Sequence, residues 1–279
     1  MNRAILLLIL TSVLWSTGGL LIKWVEWTPL GIAGARSAIA AVTVWFLIPQ
    51  PRFHFTWVQL AGALAYAATV ILFVLANKLT TAANAIFLQF TAPIYIALFS
   101  AWFLNEHPRP IDWALIVLAQ IGTALFFLDG LTVHGIWGNI CGLASGVGFA
   151  ALTLLLRKQK DASPGQSILL GNLLTAVICL PFALDTRPSD KTWIGLVLLG
   201  VVQLGIPYAL YSHVIKKVRA LEAILIGTVE PILNPLWVLV FLGEKPQKWA
   251  LVGGSLVIAT ATIRGVLSAR EAGKLEAHG

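Results

Sequence analysis

One acidic residue, Glu230, lies deep inside an apolar stretch that covers residues 221–242. It is about nine residues from the start of that stretch, or roughly 14 Å along a helix that rises 1.5 Å per residue. A carboxylate at this depth in hydrocarbon is costly and should face the protein interior or a wet cavity. One interpretation is a contact with a substrate amine or a site of proton coupling. The other is a structural acid that pairs with Arg36 or caps a helix broken at Pro231.

Three further charged residues could have either a functional or a structural role. Arg36 lies some six residues inside the second apolar stretch, where it would attract an anionic substrate group. We favour a structural role, in which it snorkels to the surface or pairs with a carboxylate or backbone carbonyls. Glu106 and Glu244 lie at the ends of stretches beside proline. For both we expect an interfacial charge or a cap on the next helix.

Polar and aromatic side chains share helical faces within several apolar stretches. In lipid such groups often make interhelical hydrogen bonds. A cavity that binds an organic solute would also be mainly apolar and aromatic, with a few placed polar groups. Both interpretations stay open. The candidate cavity residues are Trp15, Tyr66, Phe73, Asn77, Asn84, Tyr95, Gln203, Tyr211, Glu230 and Asn234, with Glu230 also the candidate for coupling.

The elements that position these residues are membrane-spanning helices. Apolar residues make up 58% of the chain and charged residues 11%, far from the composition of a soluble domain. A span needs about 20 apolar residues. We find ten such stretches, with limits near 4–22, 30–48, 57–77, 81–103, 112–128, 135–156, 166–184, 192–212, 221–242 and 249–267.

The net charge of +7 does not form one patch, because the basic residues lie between apolar runs. This distribution argues against nucleic-acid binding. With the N-terminus in the cytoplasm, twelve basic residues lie on the inner side and six on the outer side. The excess of Lys and Arg on cytoplasmic loops then predicts that both termini are cytoplasmic.

Motifs for catalysis are missing from the sequence. It contains neither a Gly-x-x-x-x-Gly-Lys-Ser/Thr phosphate loop nor a His-Glu-x-x-His zinc motif. All five histidines fall in or next to loops, so nucleophilic catalysis inside the membrane lacks a base. The two cysteines lie in apolar runs, which indicates no disulfide framework. We expect no enzyme activity, no cofactor and no metal.

A repeat organises the whole chain. The segment from Pro93 to Pro108 recurs, at one constant offset, from Pro231 to Pro246. We therefore predict two homologous halves, residues 1–132 and 133–268, followed by a polar cytoplasmic tail, 269–279. Five spans per half is an odd number, so the second half would enter the membrane upside down. The expected fold is an all-α membrane protein with ten transmembrane helices in two inverted repeats. Such folds usually belong to alternating-access transporters with a site near mid-membrane.

The same residues resemble a known family. The segments from Thr91 to Glu106 and from Val229 to Glu244, with Trp15-Ser16, Lys23 and Arg36, are similar to those of the EamA family of the drug/metabolite transporter superfamily. The resemblance covers nearly the whole chain. It implies a small-molecule permease of a bacterial inner membrane, and it implies that spans one, three, four, six, eight and nine surround the cavity. Some members of the family transport amino acids, including aromatic ones.

The expected function is therefore export of small organic metabolites, most of all amino acids, by alternating access. The alternatives are an uncoupled facilitator or drug exporter, and a membrane enzyme that modifies lipid. Few fixed charges lie within the spans, and recognition of a phosphate ester would call for several Arg or Lys. The expected partners are the small-molecule substrate and membrane lipid, and both a monomer and a homodimer remain open.

Overall fold

The computed structural model describes residues 3–49, 53–128, 135–183, 188–242 and 248–276. Every regular element in these residues is helical, as expected. The α-helices are α1 Arg3–Trp15, α2 Gly18–Trp24, α3 Pro29–Leu47, α4 Trp57–Leu79, α5 Ala82–Gln89, α6 Ala92–Leu104, α7 Pro110–Leu128, α8 Ile136–Lys158, α9 Pro164–Ala183, α10 Asp190–Val197, α11 Ile206–Val214, α12 Ala220–Gly227, α13 Glu230–Leu242 and α14 Lys248–Glu276. A π-helical segment, Leu198–Gly205, joins α10 to α11.

Several of these helices are suited to cross a bilayer. Within the described residues, six helical segments are long and apolar enough to do so: Arg3–Trp24, Pro29–Leu47, Trp57–Leu79, Asn84–Leu104, Ile136–Lys158 and Asp190–Val214. Shorter apolar helices cover Pro110–Leu125, Pro164–Cys179 and Ser255–Arg264. The chain is a multi-pass membrane protein, and the number of ten spans remains a prediction.

The two copies of the repeat break at equivalent places. A shift of 138 residues carries α5, Ala82–Gln89, onto α12, Ala220–Gly227, and carries α6 onto α13 with both bounds preserved. From the sequence we counted one span in each place and considered a break only at Pro231, whereas the structure has two helices in both places. Pro93 and Pro231 explain the break, since each is the second residue of the new helix. Proline has no N–H to donate to the preceding turn and disfavours helical geometry in the residue before it.

Local signals fix other helix ends. Thr28 accepts a hydrogen bond from the backbone N–H of Gly31 at the start of α3, and Thr81 accepts one from Asn84 at the start of α5. Both are ordinary N-caps, which satisfy backbone donors that have no partner inside the helix. Asn105 ends α6 in the left-handed conformation, with φ of 56°, and asparagine tolerates this region better than most residues.

Helices of one half pack against helices of the other. α3 packs on α9 and α7 on α14, and each of these pairs joins equivalent elements of the repeat. α8 packs on α4 and α5 through Gly138, Gly142 and Gly146. A Cβ atom on Gly138 would lie 2.7 Å from the backbone of Leu79 and Thr80. These glycines therefore form a close helix contact, as small residues let helix backbones approach in membranes.

Two ends of the molecule can be distinguished along α4. Near its start, the backbone oxygen of Val58 faces Gln159, and near its end Lys78 reaches the backbone oxygen of Val25. We call the first the Glu106 end, comprising residues 105–109, 157–163 and 215–219 with the helix ends beside them. We call the second the Lys78 end, comprising residues 23–28, 78–81 and 135–138.

Candidate functional site

A narrow cavity lies between the two halves, where the broken helices meet. It is bordered by Gln89, the last residue of α5, and by Glu230, the first residue of α13. Its volume is about 20 Å³, room for one or two water molecules but not for a metabolite. This conformation is therefore closed around its centre. The lining residues are Trp15, Arg36, Thr69, Val70, Phe73, Gln89, Phe149, Gln203, Leu204, Tyr208 and Glu230.

Arg36 is the buried cation of the cavity. Its side chain is 1% exposed, so it does not snorkel to the surface. Nη1 donates to Gln203 Oε1 at 3.1 Å and Nη2 donates to the backbone oxygen of Val70 at 3.2 Å. A backbone carbonyl is one of the partners expected for it, but no described carboxylate forms an ion pair with it.

Glu230 is the buried acid of the same cavity. It is 4% exposed and begins α13, where Pro231 follows it. The partial positive charge of a helix N-terminus favours a carboxylate at this position. In the described part of the chain, its carboxylate makes neither a hydrogen bond nor an ion pair, so the pairing with Arg36 that we considered is not present.

The π-helical segment places Gln203 against Arg36. This wider turn precedes Pro207, which cannot donate to the carbonyl four residues before it. Such turns are frequent at functional sites. Gly18 makes room for the arrangement, because a Cβ atom there would lie 2.8 Å from Gln203 Nε2. Gly200 allows close approach to α3, with the backbone oxygen of Arg36 2.9 Å from the position of its missing Cβ.

Aromatic rings form one wall of the cavity. The ring of Trp15 lies 4.9 Å from Tyr208 and 5.6 Å from Phe149, measured between centroids. Tyr66 meets Tyr208 edge to face at 4.8 Å. Trp15 Nε1 is buried and has no acceptor among the described residues. The cavity thus combines apolar walls with a few polar groups, the usual make-up of a small-molecule site.

The structure brings four of the ten candidate cavity residues to the cavity: Trp15, Phe73, Gln203 and Glu230. Four others are buried outside its lining and bonded within the protein. The Tyr66 hydroxyl donates to Asn172 Oδ1 at 3.1 Å, and the Tyr211 and Thr153 hydroxyls are 3.2 Å apart. Asn77 Nδ2 donates to the backbone oxygen of Phe73 and Asn84 Nδ2 to Thr80 Oγ1.

Two candidates lie elsewhere. Tyr95 lines a separate apolar groove between α4, α6 and α8, with Trp57, Phe99 and Trp102. α13 includes Asn234, but its side chain is outside the described part of the structure, as is the whole of Glu244.

Some lining residues were missed by the sequence analysis. Gln89, Phe149 and Tyr208 belong to helices that were expected at the cavity. Arg36 belongs to α3, which was not expected to line it. Gln89 Nε2 donates to Ser145 Oγ at 2.7 Å, and that hydroxyl donates to the backbone oxygen of Thr69 at 3.0 Å. The position of Gln89 just before the proline break was the available signal.

Below the cavity, at the Glu106 end, charged groups tie the halves together. Glu106 accepts from Arg157 Nε at 2.6 Å and from the backbone N–H of Ala220 at 2.9 Å. Arg219 Nη2 donates to the backbone oxygen of His107 at 2.7 Å. Glu106 therefore caps a helix, but that helix is α12 of the other half and not the next one in the chain.

A second charged pair at this end is buried. Arg264 on α14 and Asp112 at the start of α7 form an ion pair, with Nη1 and Oδ1 3.2 Å apart, and each residue is 1% exposed. Asp112 Oδ2 also accepts from the backbone N–H of Arg109 at 2.9 Å. The pair joins equivalent helices of the two halves, so it fixes the halves to each other near the Glu106 end.

Comparison with known proteins now decides the family. The profile of the EamA-like transporter family matches residues 2–128 and again 136–264. The chain belongs to the EamA-like transporter family. Members of this family are transporters and not enzymes, which agrees with the missing catalytic motifs.

Individual relatives of this EamA-like transporter are distant. It is 25% identical over 257 residues to the threonine/homoserine exporter RhtA of Escherichia coli K12, covering 88% of this chain and 84% of that protein. It is 25% identical over 255 residues to the uncharacterized transporter YwfM of Bacillus subtilis, covering 84% and 85% of the two chains. A crystal structure with 19% identity superposes with a TM-score of 0.81 over 95% of this chain and 98% of the other, which supports the fold.

Proposed function

We propose that this EamA-like transporter exports small organic metabolites, above all amino acids, across a bacterial inner membrane by alternating access. The observation that carries the proposal is the closed cavity between the two halves. It places one buried cation, Arg36, and one buried acid, Glu230, among aromatic walls. The last residue of α5 and the first residue of α13 both line this cavity. Transporters with repeated halves typically build their substrate sites from such discontinuous helices.

The arrangement of loops supports ten spans in two inverted halves. Contacts group alternate loops at opposite ends: residues 105–109, 157–163 and 215–219 meet at the Glu106 end. Residues 23–28 and 78–81 meet at the Lys78 end. Helices that run between these ends in strict alternation would give the odd number of spans per half that inverts the second copy.

The charge of the Glu106 end supports cytoplasmic termini. Seven basic residues lie there: Arg109, Arg157, Lys158, Lys160, Lys216, Lys217 and Arg219. An excess of basic residues marks the cytoplasmic side of membrane proteins. The ion pairs at this end join the two halves on the proposed cytoplasmic side.

Two observations support amino acids as the substrate class. The relative from Escherichia coli carries the name of a threonine/homoserine exporter. Among the described residues that line the cavity, Arg36 is the one cation, whereas phosphate esters are commonly bound by several Arg or Lys side chains. Aromatic amino acids remain within the proposal, since Trp15, Phe73 and Tyr208 offer apolar contact area once the cavity opens.

Transport by purified protein in proteoliposomes tests the proposal. We expect exchange of labelled threonine, displacement by other neutral amino acids and none by nucleotide sugars. Stronger displacement by nucleotide sugars would contradict the substrate class. Displacement only by hydrophobic drugs would favour the drug exporter. A rate that ignores an imposed proton gradient would favour the uncoupled facilitator.

A matched pair of variants tests the cavity itself. Glu230→Gln removes the charge and keeps the shape, and we expect it to slow threonine transport at least tenfold because it alters the buried polar group of the site. Glu26→Gln makes the same change in an exposed loop and should leave the rate unchanged. If folded Glu230→Gln protein transports at the wild-type rate at every pH, Glu230 is neither a coupling site nor a substrate contact.

A further inference from the structure

Two opposite charges line one cavity without meeting each other. Arg36 and Glu230 are 1% and 4% exposed, and no ion pair joins them in this conformation. Burial of a charge is expensive unless it is paired and hydrogen-bonded. A site that keeps both charges buried and separate is therefore incomplete until a ligand supplies the counter-charges.

Arg36 is prepared to take an anion. Its two Nη atoms donate to neutral acceptors, Gln203 Oε1 and the backbone oxygen of Val70. These bonds fix the guanidinium plane but leave the positive charge without a counterion. Arg36 Nε has no acceptor among the described residues. A carboxylate suits the remaining face, because the guanidinium fork matches its two oxygens.

Trp15 supplies a second unused donor. Its Nε1 is buried without an acceptor in the described part of the chain, and the ring lines the same cavity as Arg36. A buried indole N–H usually has a partner in a folded protein. An oxygen of a ligand would satisfy it, whether from a carboxylate or from a side-chain hydroxyl.

Glu230 offers the matching acceptor. Its carboxylate has two oxygens and no described donor, so it can accept from an ammonium group. The repeat strengthens this interpretation, because the equivalent residue of the first half is Ala92. The fold of a broken helix therefore does not require an acid at this position.

We propose that Arg36 binds the α-carboxylate of the substrate and Glu230 binds its α-ammonium group, so that this transporter selects for the zwitterionic head of an amino acid. Gln203 acts as a positioning residue that holds Arg36. The inference rests on the proposed function, amino acid transport, and goes further by assigning each charge of the substrate to one residue.

A series of threonine analogues tests the assignment on the wild-type protein. Labelled threonine is exchanged in proteoliposomes against 3-hydroxybutyrate, which lacks the ammonium group, and against 1-amino-2-propanol, which lacks the carboxylate. Threonine amide keeps the shape and removes the negative charge. We expect all three to compete at least about 100-fold less well than threonine, because a site built to pair a group rejects analogues that lack it.

Variants then assign each charge to its residue. In Glu230→Gln the penalty for 3-hydroxybutyrate should fall to about tenfold or less, while the penalty for 1-amino-2-propanol stays. Arg36→Gln should show the reverse, and Glu26→Gln should match the wild type. A purely structural role would lower transport in these variants without this exchange of preference.

The outcomes separate this inference from the proposed function. If threonine and other amino acids are not transported at all, both fail together. If they are transported but threonine amide or 1-amino-2-propanol competes as well as threonine, only the assignment fails. Where Arg36→Gln does not fold, the wild-type analogue series and Glu230→Gln still decide the result.

Discussion

The two ends of the molecule are closed by different interactions. At the Glu106 end, charged side chains of one half bind groups of the other: Arg157 binds Glu106, and Arg264 pairs with Asp112. At the Lys78 end, Lys191 of the second half lies over the ring of Trp24, 5.4 Å from its centroid, whereas Lys23 and Lys78 bond within the first half. Lys23 donates to the backbone oxygen of Thr80 and Lys78 to that of Val25, both at 2.7 Å.

What joins the halves at the Lys78 end, in the residues described there, is mainly close packing. Gly135 and Gly138 of the second half lie against Leu79 and Thr80 of the first. Packing of this kind is short-ranged and needs no charges to be separated. Opening the Glu106 end would instead separate the ion pairs that join the halves there. A transport cycle must supply the free energy to open it.

Among the interactions that distinguish the two ends, the buried ion pair of Arg264 and Asp112 should have the largest effect on stability. Arg264→Met would leave Asp112 buried without its counter-charge, and breaking such a pair from one side costs about 3–5 kcal/mol. We expect a large fall in the melting temperature of the protein in detergent. The exchange variant Asp112→Arg with Arg264→Asp restores the charges in reverse order and should recover part of the loss. A melting temperature within one degree of wild type for Arg264→Met would contradict this account.

The second largest effect is expected from overpacking at the Lys78 end. Gly138→Ala places a Cβ atom 2.7 Å from the backbone of Leu79 and Thr80, so α8 must move away from α4. Overpacking typically costs about 1–3 kcal/mol. We therefore expect Gly138→Ala to have a lower melting temperature, and to bind substrate in a conformation whose Lys78 end is open. Gly227→Ala is the matched control, since its nearest neighbour, Ser12 Oγ, would be 3.9 Å away, and it should leave the melting temperature unchanged.

A smaller effect is expected from the partly buried pair of Glu106 and Arg157, whose side chains are 12–14% exposed. Glu106→Gln keeps the shape but weakens the bond to Arg157, which retains the carbonyl oxygens of Ile215 and Lys216 as acceptors. A hydrogen bond to a charged group contributes about 1.5–3 kcal/mol. Because of the remaining acceptors we expect the lower value, about a tenfold shift toward the state open at this end.

Spin labels can measure that shift. One pair at His107 and Lys160 reports on the Glu106 end, and one at Glu26 and Lys191 reports on the other, all four residues being exposed. Glu106→Gln should lengthen the first distance and leave or shorten the second. Equal lengthening of both would indicate loosening of the whole fold and would count against a gate at Glu106.

The sequence predicted the helices and the two halves better than it predicted the helix breaks and the π-helical turn. Apolar runs and the repeat around Pro93 and Pro231 predicted helices in two equivalent halves, and the family profile and the structure agree. A helix break at Pro231 was among the interpretations of the sequence, but the equivalent break at Pro93 was not predicted. The π-helical turn before Pro207 has no simple pattern, since it depends on how α3 and Gly200 pack.

The site was predicted only in part, because side-chain partners lie far apart in the chain. Glu230 and Trp15 could be selected by depth and residue type. No local pattern shows that Tyr66 bonds Asn172 or that Glu106 caps α12 across the interface of the halves. Such pairs depend on tertiary packing, and a single sequence carries no record of it.

The smallest effect should come from Lys78, the counterpart of Lys216 in the repeat. Both lysines bind a backbone oxygen near the end of the first helix of their own half, Val25 for Lys78 and Ala162 for Lys216. Each bond is within one half and at the edge of the membrane, so Lys78→Met and Lys216→Met should each change the free energy of unfolding by about 1 kcal/mol or less. Neither should alter the balance between the two open states, because neither bond crosses between the halves. If Lys78→Met shifted the Glu26–Lys191 distance as much as Glu106→Gln shifts the His107–Lys160 distance, the two ends would be equivalent gates, and the contrast between ion pairs and packing would be wrong.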